Sequence, residues 1–590
     1  MHDLTAVPWW RRWLRRFVLT LVGSLLVIGP WPVDDSSFQG SAYQVRTLDR
    51  LDSLKVADTP GPIRVGVAEV DLTPTSPRPL AGFIGQTRTP FVGVDSPCLA
   101  RALTIERGPE TVTILTADLL LINAKLARTV VERAGLQADQ VYFTSSHTHG
   151  GPGGWGDHPI EMLVAGAYDA AYFATLTEQL AQVVKQSRAR LEPAEMAFAR
   201  VQTHDRQRNR VDPTMPTHDA LSALVFRPRG AAAEVPPLAL LVVFGAHATV
   251  SHPVPPRLGG DYPSALVEEL KRQTGAKSVL FASGAVGDAS PARPKAPSQF
   301  KSAQALGTAL AGDLIPALRA SVFEPEPIVS NLRLDVDLPP MRLPFFAAKL
   351  RFSPALTWWI ADRRTHLHAL RIGPAVLVGF PGDYSGHLAL KLEQSTLDPE
   401  LSIIPTSFDG DFRGYLVSAR IFQDKSCYET RWMSFYGPVT GDYFNDLAGR
   451  MVHHLSDHPT PSARVGPDRD DLSNRIGMAA LLSVAGAVGW RRRREWLARA
   501  RTMGWLTVGL IAIASLGFLV APDLFAWAKF GCPWWVRMLG LPIGLAGLYR
   551  ANRARSGWYC LVGCGLLAAS WLIVLMSLRV WVKNDFRIES

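Results

Sequence analysis

The chain has 590 residues, 47% of them hydrophobic, and a formal net charge of +10. That length is enough for one large or several ordinary domains, with the apolar residues unevenly spread. The charge does not point to nucleic acid: much of the excess sits in Arg clusters beside apolar runs, where it orients helices and meets anionic lipid, and residues 60–460 carry no basic stripe interleaved with aromatics.

The N-terminus opens with a basic, Trp-rich flank (Trp9, Trp10, Arg11, Arg12, Trp13, Arg15, Arg16), followed by an uncharged run from Phe17 to Val33. The run is at the short end of what spans a bilayer, and its flank should stay cytoplasmic. It ends in Pro30-Trp31-Pro32 with no small-x-small cleavage site, which favours an uncleaved anchor over a signal peptide. Residues 1–33 are therefore expected to be flank and signal anchor, and the polar, mixed residues 34–60 a linker.

Residues 61–456 read as a globular domain. Ile63 to Val70 alternates like a strand and runs into a turn at Asp71-Leu72-Thr73-Pro74. Further strands are expected at 102–106, 112–116, 141–143, 238–244, 278–282 and 375–380, and helices at 125–134, 173–191 and 303–318. Strands alternating with helices predict an α/β domain with a mixed sheet, and polar residues repeatedly follow the strand ends, where sites on such sheets collect. The stretch from Leu343 to Ile360, with Phe345, Phe346, Trp358 and Trp359, reads as buried core, with a bilayer-facing or groove-rimming role as the rival.

Residues 457–473 are expected to link this domain to a bundle of about four transmembrane helices within 474–582, followed by a tail at 583–590. The candidate spans are 476–490, 503–519, 536–548 and 558–582. Arg491 to Arg494 with Arg499 and Arg501 form one basic loop, and Arg550, Arg553 and Arg555 another. If basic loops stay inside, residues 34–473 lie on the periplasmic or extracellular side of an integral membrane protein. Only Cys98 and Cys427 fall in that outer segment, and a disulfide between them is left open.

The chemistry collects at Ser146-His147-Thr148-His149, which leads into a loop of four glycines and a proline. Two imidazoles at the junction of an apolar strand and a loop that allows close backbone approach are candidate zinc ligands. His247 and His252 follow another apolar strand, Asp383 follows Pro381-Gly382 at a third, and the turn from Ser283 to Asp288 lacks the lysine of a Walker loop.

These residues together resemble the neutral/alkaline, non-lysosomal ceramidase family. The ordered matches are Val65 to Pro74 followed by Leu80-Ala81-Gly82-Phe83, then Thr116-Ala117-Asp118, Ser146 to Gly153, Asn209-Arg210, Phe244 to His247, Gly284 to Pro291, Gly379 to Asp383, and Tyr415 with Tyr428. The resemblance covers roughly residues 60–450. It implies zinc held by His147, His247, Asp383 and Tyr415, with His149, Arg210, Tyr428 and Asp383 in the reaction. A zinc-activated water would attack the amide of an N-acyl lipid such as ceramide, releasing a sphingoid base and a fatty acid. Arg210 and Tyr428 would steady the oxyanion, while His149 and Asp383 would handle protons.

Two departures stand out. Asp383 replaces the family's Glu, so its oxygens reach about 1.5 Å less far, one carbon–carbon bond. The family's C-terminal immunoglobulin-like domain has no counterpart here. Two rivals remain beside the ceramidase reading: a zinc hydrolase of the same fold acting on another amide or ester, and a non-catalytic membrane protein that binds lipid or a partner.

Overall fold

A computed structural model describes residues 37–456, apart from 57–58, 84, 233, 342–343, 346–349, 352, 354–361, 396–397 and 425–432, together with Leu14, Val18, Trp31 and Pro32. In chain order the main strands are β1 (Ile63–Asp71), β2 (Leu99–Arg107), β3 (Glu110–Ala117), β4 (Val141–Ser145), β5 (Glu192–Gln202), β6 (Gln207–Asn209), β7 (Ala220–Pro228), β8 (Ala239–Phe244), β9 (Ser278–Ser283), β10 (Ala289–Pro291), β11 (Val329–Asp337), β12 (Arg364–Ile372), β13 (Ala375–Phe380), β14 (Asp383–Tyr384), β15 (Ser402–Ser407) and β16 (Tyr415–Leu416). The helices used below are α1 (Ala42–Ser53), α2 (Ala124–Ala134), α3 (Ala170–Arg188), α4 (Asp261–Thr274), α5 (Gln299–Ala320), α6 (Gly386–Gln394) and α7 (Thr440–Leu455).

Eight strands form one sheet in the order β9-β8-β7-β5-β1-β2-β3-β4, and four form a second in the order β11-β12-β13-β15. The large sheet is antiparallel through its middle and parallel at both ends, where β9 pairs with β8 and β3 with β4. In the small sheet the one parallel pair is β13 with β15. The sheets stack through aliphatic faces: Val65, Leu103, Ile114, Phe226 and Leu241 from the large sheet meet Leu370, Ile372, Leu377 and Ile404 from the small one. Helices cover the two outer faces, α2 to α5 on the large sheet and α1, α6 and α7 on the small. The result is a four-layer α/β/β/α arrangement.

The helices have local causes. Helix α3 buries Tyr172, Phe173, Leu176, Leu180, Val183 and Val184, a stripe at helical spacing, and Asp169 caps it by accepting from the amides of Ala171 and Tyr172. Helix α2 starts on the Asn123 cap and stops at Gly135, whose φ of 71° suits a residue without a Cβ. Helix α1 lies in the segment expected to be a linker. It is polar on average, but Ser41 caps it, Leu48 and Leu51 face the core, and Arg46 and Arg50 pair with Asp337 at 2.6 and 2.8 Å. Tertiary pairing, not composition, makes this helix.

The mixed α/β domain is present, but the membrane part of the expected fold class is corrected. Among the described residues no helix is long and apolar enough to cross a membrane. At the end of the expected anchor, Trp31–Pro32 is instead a short strand paired antiparallel with Leu350–Arg351. The integral-membrane placement expected from the Arg clusters is set aside on the same finding. The four C-terminal candidate spans, most of 1–33, Phe346, Trp358, Trp359 and Cys427 lie outside the described residues. Cys98 is a free, buried thiol.

Candidate metal centre

The polar residues that follow β4, β8, β13 and the loop before β16 converge at one end of the two sheets. Beyond β4, His147 takes a φ of +54°, an uncommon left-handed conformation for a residue with a Cβ. Its Nδ1 lies 2.8 Å from the Leu120 carbonyl. A carbonyl can only accept, so Nδ1 carries the proton and Nε2 keeps its lone pair. The same logic fixes His247, whose Nδ1 lies 2.7 Å from the Val286 carbonyl. Backbone carbonyls thus orient both rings as they do in metal-ligating histidines.

Asp383 opens β14, which pairs in parallel with β16 so that Asp383 lies opposite Tyr415. The ladder runs tight against the backbone: a Cβ on Gly382 would sit 2.2 Å from the Gly414 carbonyl. Oδ1 of Asp383 lies 3.5 Å from Nε2 of His147 and 3.4 Å from Nε2 of His247. The Tyr415 hydroxyl stands 3.2 Å from Nε2 of His247. A tetrahedral zinc with bonds of about 2.0–2.1 Å has ligand-to-ligand edges of about 3.3–3.4 Å. The three donor-to-donor distances here, 3.2–3.5 Å, fall near those edges, and Nε2 of His147 is a buried nitrogen with no hydrogen-bond partner.

Arg210 follows β6, its amide bound to the Asp288 carbonyl at 2.8 Å. Its guanidinium donates to Nε2 of His247 and to the Tyr415 hydroxyl, both at 3.0 Å. Asp288, in the turn after β9, accepts from Ser385 Oγ (2.8 Å) and the amides of Gly386 (2.7 Å) and His387 (3.2 Å). The Gly-rich turn thus supports the site from beneath.

His149 sits beside this set. Its ring lies 5.0 Å from that of His147 and 5.9 Å from that of His247, and both of its nitrogens are buried with no hydrogen-bond partner. Ligand atoms of His147, His149 and His247 all lie within 4.8 Å of one another. His149 is therefore close enough to share a cation as well as to face a reacting group. Burial pushes the His147 imidazole down to about 3, and the repulsion it would meet from a protonated His247 is the next cause. Desolvation also holds His149 and His247 well below the usual imidazole range, with His147 and Arg210 respectively as the next causes. All three are neutral at pH 7, the form that donates a lone pair.

His252 does not join the centre: it stacks on Phe83 at 3.7 Å, and the other side of the contact is Phe83 against His149 at 4.7 Å. Tyr428 lies outside the described residues. The sequence reading missed Phe408, which stacks on the His147 ring at 4.3 Å, and the carbonyls of Leu120 and Val286. Backbone carbonyls leave no trace in residue type, so nothing in the sequence could have marked them.

Residues 63–215 match the family described as neutral/alkaline non-lysosomal ceramidase, N-terminal. The fold is similar to that of a neutral ceramidase from Pseudomonas aeruginosa, with a TM-score of 0.57 at 16% identity over 69% of this chain and 77% of that one. A ceramidase complexed with C2 matches with the same score, identity and coverage. The resemblance read from the ordered motifs is thus shown by the family match over residues 63–215, and the fold by the likeness to the solved ceramidases.

Proposed function

We propose that the chain is a metal-dependent hydrolase that cleaves the amide bond of an N-acyl lipid of the ceramide class, releasing a long-chain amine and a fatty acid. The observation that carries this reading is the spacing of Nε2 of His147, Nε2 of His247, Oδ1 of Asp383 and the Tyr415 hydroxyl, which suits one tetrahedral cation. The match of residues 63–215 to ceramidases supports the reaction class and a lipid substrate.

His147, His247, Asp383 and Tyr415 would hold zinc, with His149 near enough to approach it. When bound there, the ion supplies a concentrated positive charge that polarises a carbonyl and acidifies water. The protein's own groups do the rest. Arg210, always protonated and anchored on Tyr415, presents a fixed charge where an amide oxygen becomes an oxyanion. His149, neutral and with unpartnered ring nitrogens, takes a proton from the attacking water and returns it to the leaving amine. Burial excludes bulk water and so strengthens each of these interactions.

A substrate panel tests the proposal. N-acyl sphingoid bases, N-acyl amino acids and fatty esters are offered to the full chain at neutral pH. Preferential release of fatty acid from the N-acyl sphingoid bases supports the reading. Turnover confined to the esters or the amino-acid amides would place the same centre on a different substrate.

A further inference from the structure

Asp409 stands outside the donor set, just past the end of β15, and is wholly buried. Its backbone amide donates to the carbonyl of Phe380 at 3.1 Å. Phe380 is the last residue of β13, and the chain from there leads directly to Asp383. Its Oδ1 accepts from the amide of Phe143 at 2.9 Å, on β4, the strand that leads to His147. Its Oδ2 faces Nε2 of His366 and Nδ1 of His368 on β12, each at 3.7 Å. The preceding Phe408 has a φ of +66° and lays its ring on that of His147.

These contacts cross between sheets. Strand β4 is the edge of the large sheet, and β13 lies inside the small one. No ladder joins them here. Side chains do: Tyr142 meets Thr406 at 2.5 Å, Thr144 donates to the Ser407 carbonyl at 3.3 Å, and Asp409 binds the β4 backbone itself. Gly379 leaves the space this needs, since a Cβ there would lie 2.5 Å from Oδ2 of Asp409. Oδ2 meets the two imidazoles only at 3.7 Å, beyond hydrogen-bond reach, so the hydrogen bond from the Phe143 amide to Oδ1 is what ties this carboxylate to β4.

We propose that Asp409 is a positioning residue for the metal centre: it clamps the strand that delivers His147 to the strand that delivers Asp383, and so sets the 3.5 Å separation of their ligand atoms. The inference rests on the metal-dependent reading above and adds to it a residue that touches neither metal nor substrate. The acceptor oxygen is the active part. Asp409→Asn keeps an oxygen for the Phe143 amide, whereas Asp409→Ala removes it.

The test measures zinc affinity of the full chain by competition with a chromophoric chelator, and the visible spectrum of the cobalt-substituted protein, which reports the coordination geometry. Asp409→Ala, with unchanged far-UV circular dichroism, should bind zinc about tenfold more weakly or worse and show altered cobalt bands, the scale on which supporting residues act. Asp409→Asn should stay close to the unaltered protein. Gly379→Ala, which pushes on Oδ2 without removing it, should weaken zinc in the same direction and decides the matter if Asp409→Ala does not fold. Wild-type affinity and spectrum in folded Asp409→Ala or Gly379→Ala overturn the clamp while leaving the hydrolase reading intact. An unaltered protein that binds no zinc overturns both.

Discussion

Arg210 donates a hydrogen bond at 3.0 Å to Nε2 of His247, the very lone pair that a metal at this centre would take. The two cations are therefore rivals for one nitrogen, and a bound metal leaves Arg210 to Tyr415 and the Gly287 carbonyl. Arg210→Ala should bind zinc at least as tightly as the unaltered protein while kcat falls about 10²–10³-fold, the usual cost of losing one oxyanion donor. Equilibrium dialysis and steady-state kinetics check the two halves separately. Loss of zinc together with activity would make Arg210 part of the metal's support instead.

His147→Ala and His247→Ala each remove a ligand and leave a backbone carbonyl, Leu120 or Val286, without its imidazole donor. Zinc affinity should drop beyond the ~10–100-fold typical of changes in the residues that merely support ligands. Near-stoichiometric zinc in both variants would refute the assignment.

Asp383→Glu inserts the residue that the motif resemblance implies but adds a methylene to a side chain whose Oδ1 already stands 3.4–3.5 Å from both imidazoles. Because the β14/β16 ladder fixes the backbone opposite Tyr415, the longer carboxylate should overshoot. Zinc should bind more weakly, not more tightly, as metal titration would show. Gly382→Ala attacks the same ladder from the backbone, since its Cβ would meet the Gly414 carbonyl at 2.2 Å. It should cost about 1–3 kcal/mol of stability, the range for overpacking, read from denaturant unfolding.

Acid should destabilise the metal-free protein in a defined window. The folded His147 titrates near 3 and the unfolded imidazole near 6.5, so between these values the unfolded state binds more protons. Stability then rises with pH, by up to about 1.4 kcal/mol per pH unit for this residue, and is lost as pH falls from about 6.5 toward 3. Urea midpoints of chelator-treated protein across this range should show the slope, and His147→Asn should reduce it. An unchanged slope in that variant would mean that His147 is not the group responsible.

The strands that carry the centre were legible because their interiors are continuous apolar runs: Ala239–Phe244, Ser278–Ser283 and Ala375–Phe380 stand where the sequence places them. His147, His247, Asp383 and Tyr415, which sit in ordered motifs, are brought near one another at one end of the sheets. The second sheet was largely hidden. Strand β12 reads Arg364, Thr365, His366, Leu367, His368, and its two histidines are buried facing Asp409, a pairing that no local pattern announces. Helix α1 was read as a linker because its partners, Asp337 and Tyr443, lie nearly 300 and 400 residues away in the chain. Hydropathy and the flanking Arg clusters carried the membrane expectation, and the strand at Trp31–Pro32 is one place where pairing overrides it.

The most direct test is the metal content of the purified chain, measured by plasma emission spectroscopy alongside hydrolysis of an N-acyl sphingoid base, before and after chelation and after zinc is returned. The account predicts about one zinc per chain, the number one tetrahedral centre holds, with activity that disappears on chelation and comes back with the ion. Hydrolysis that continues at full rate in protein stripped of metal would contradict it.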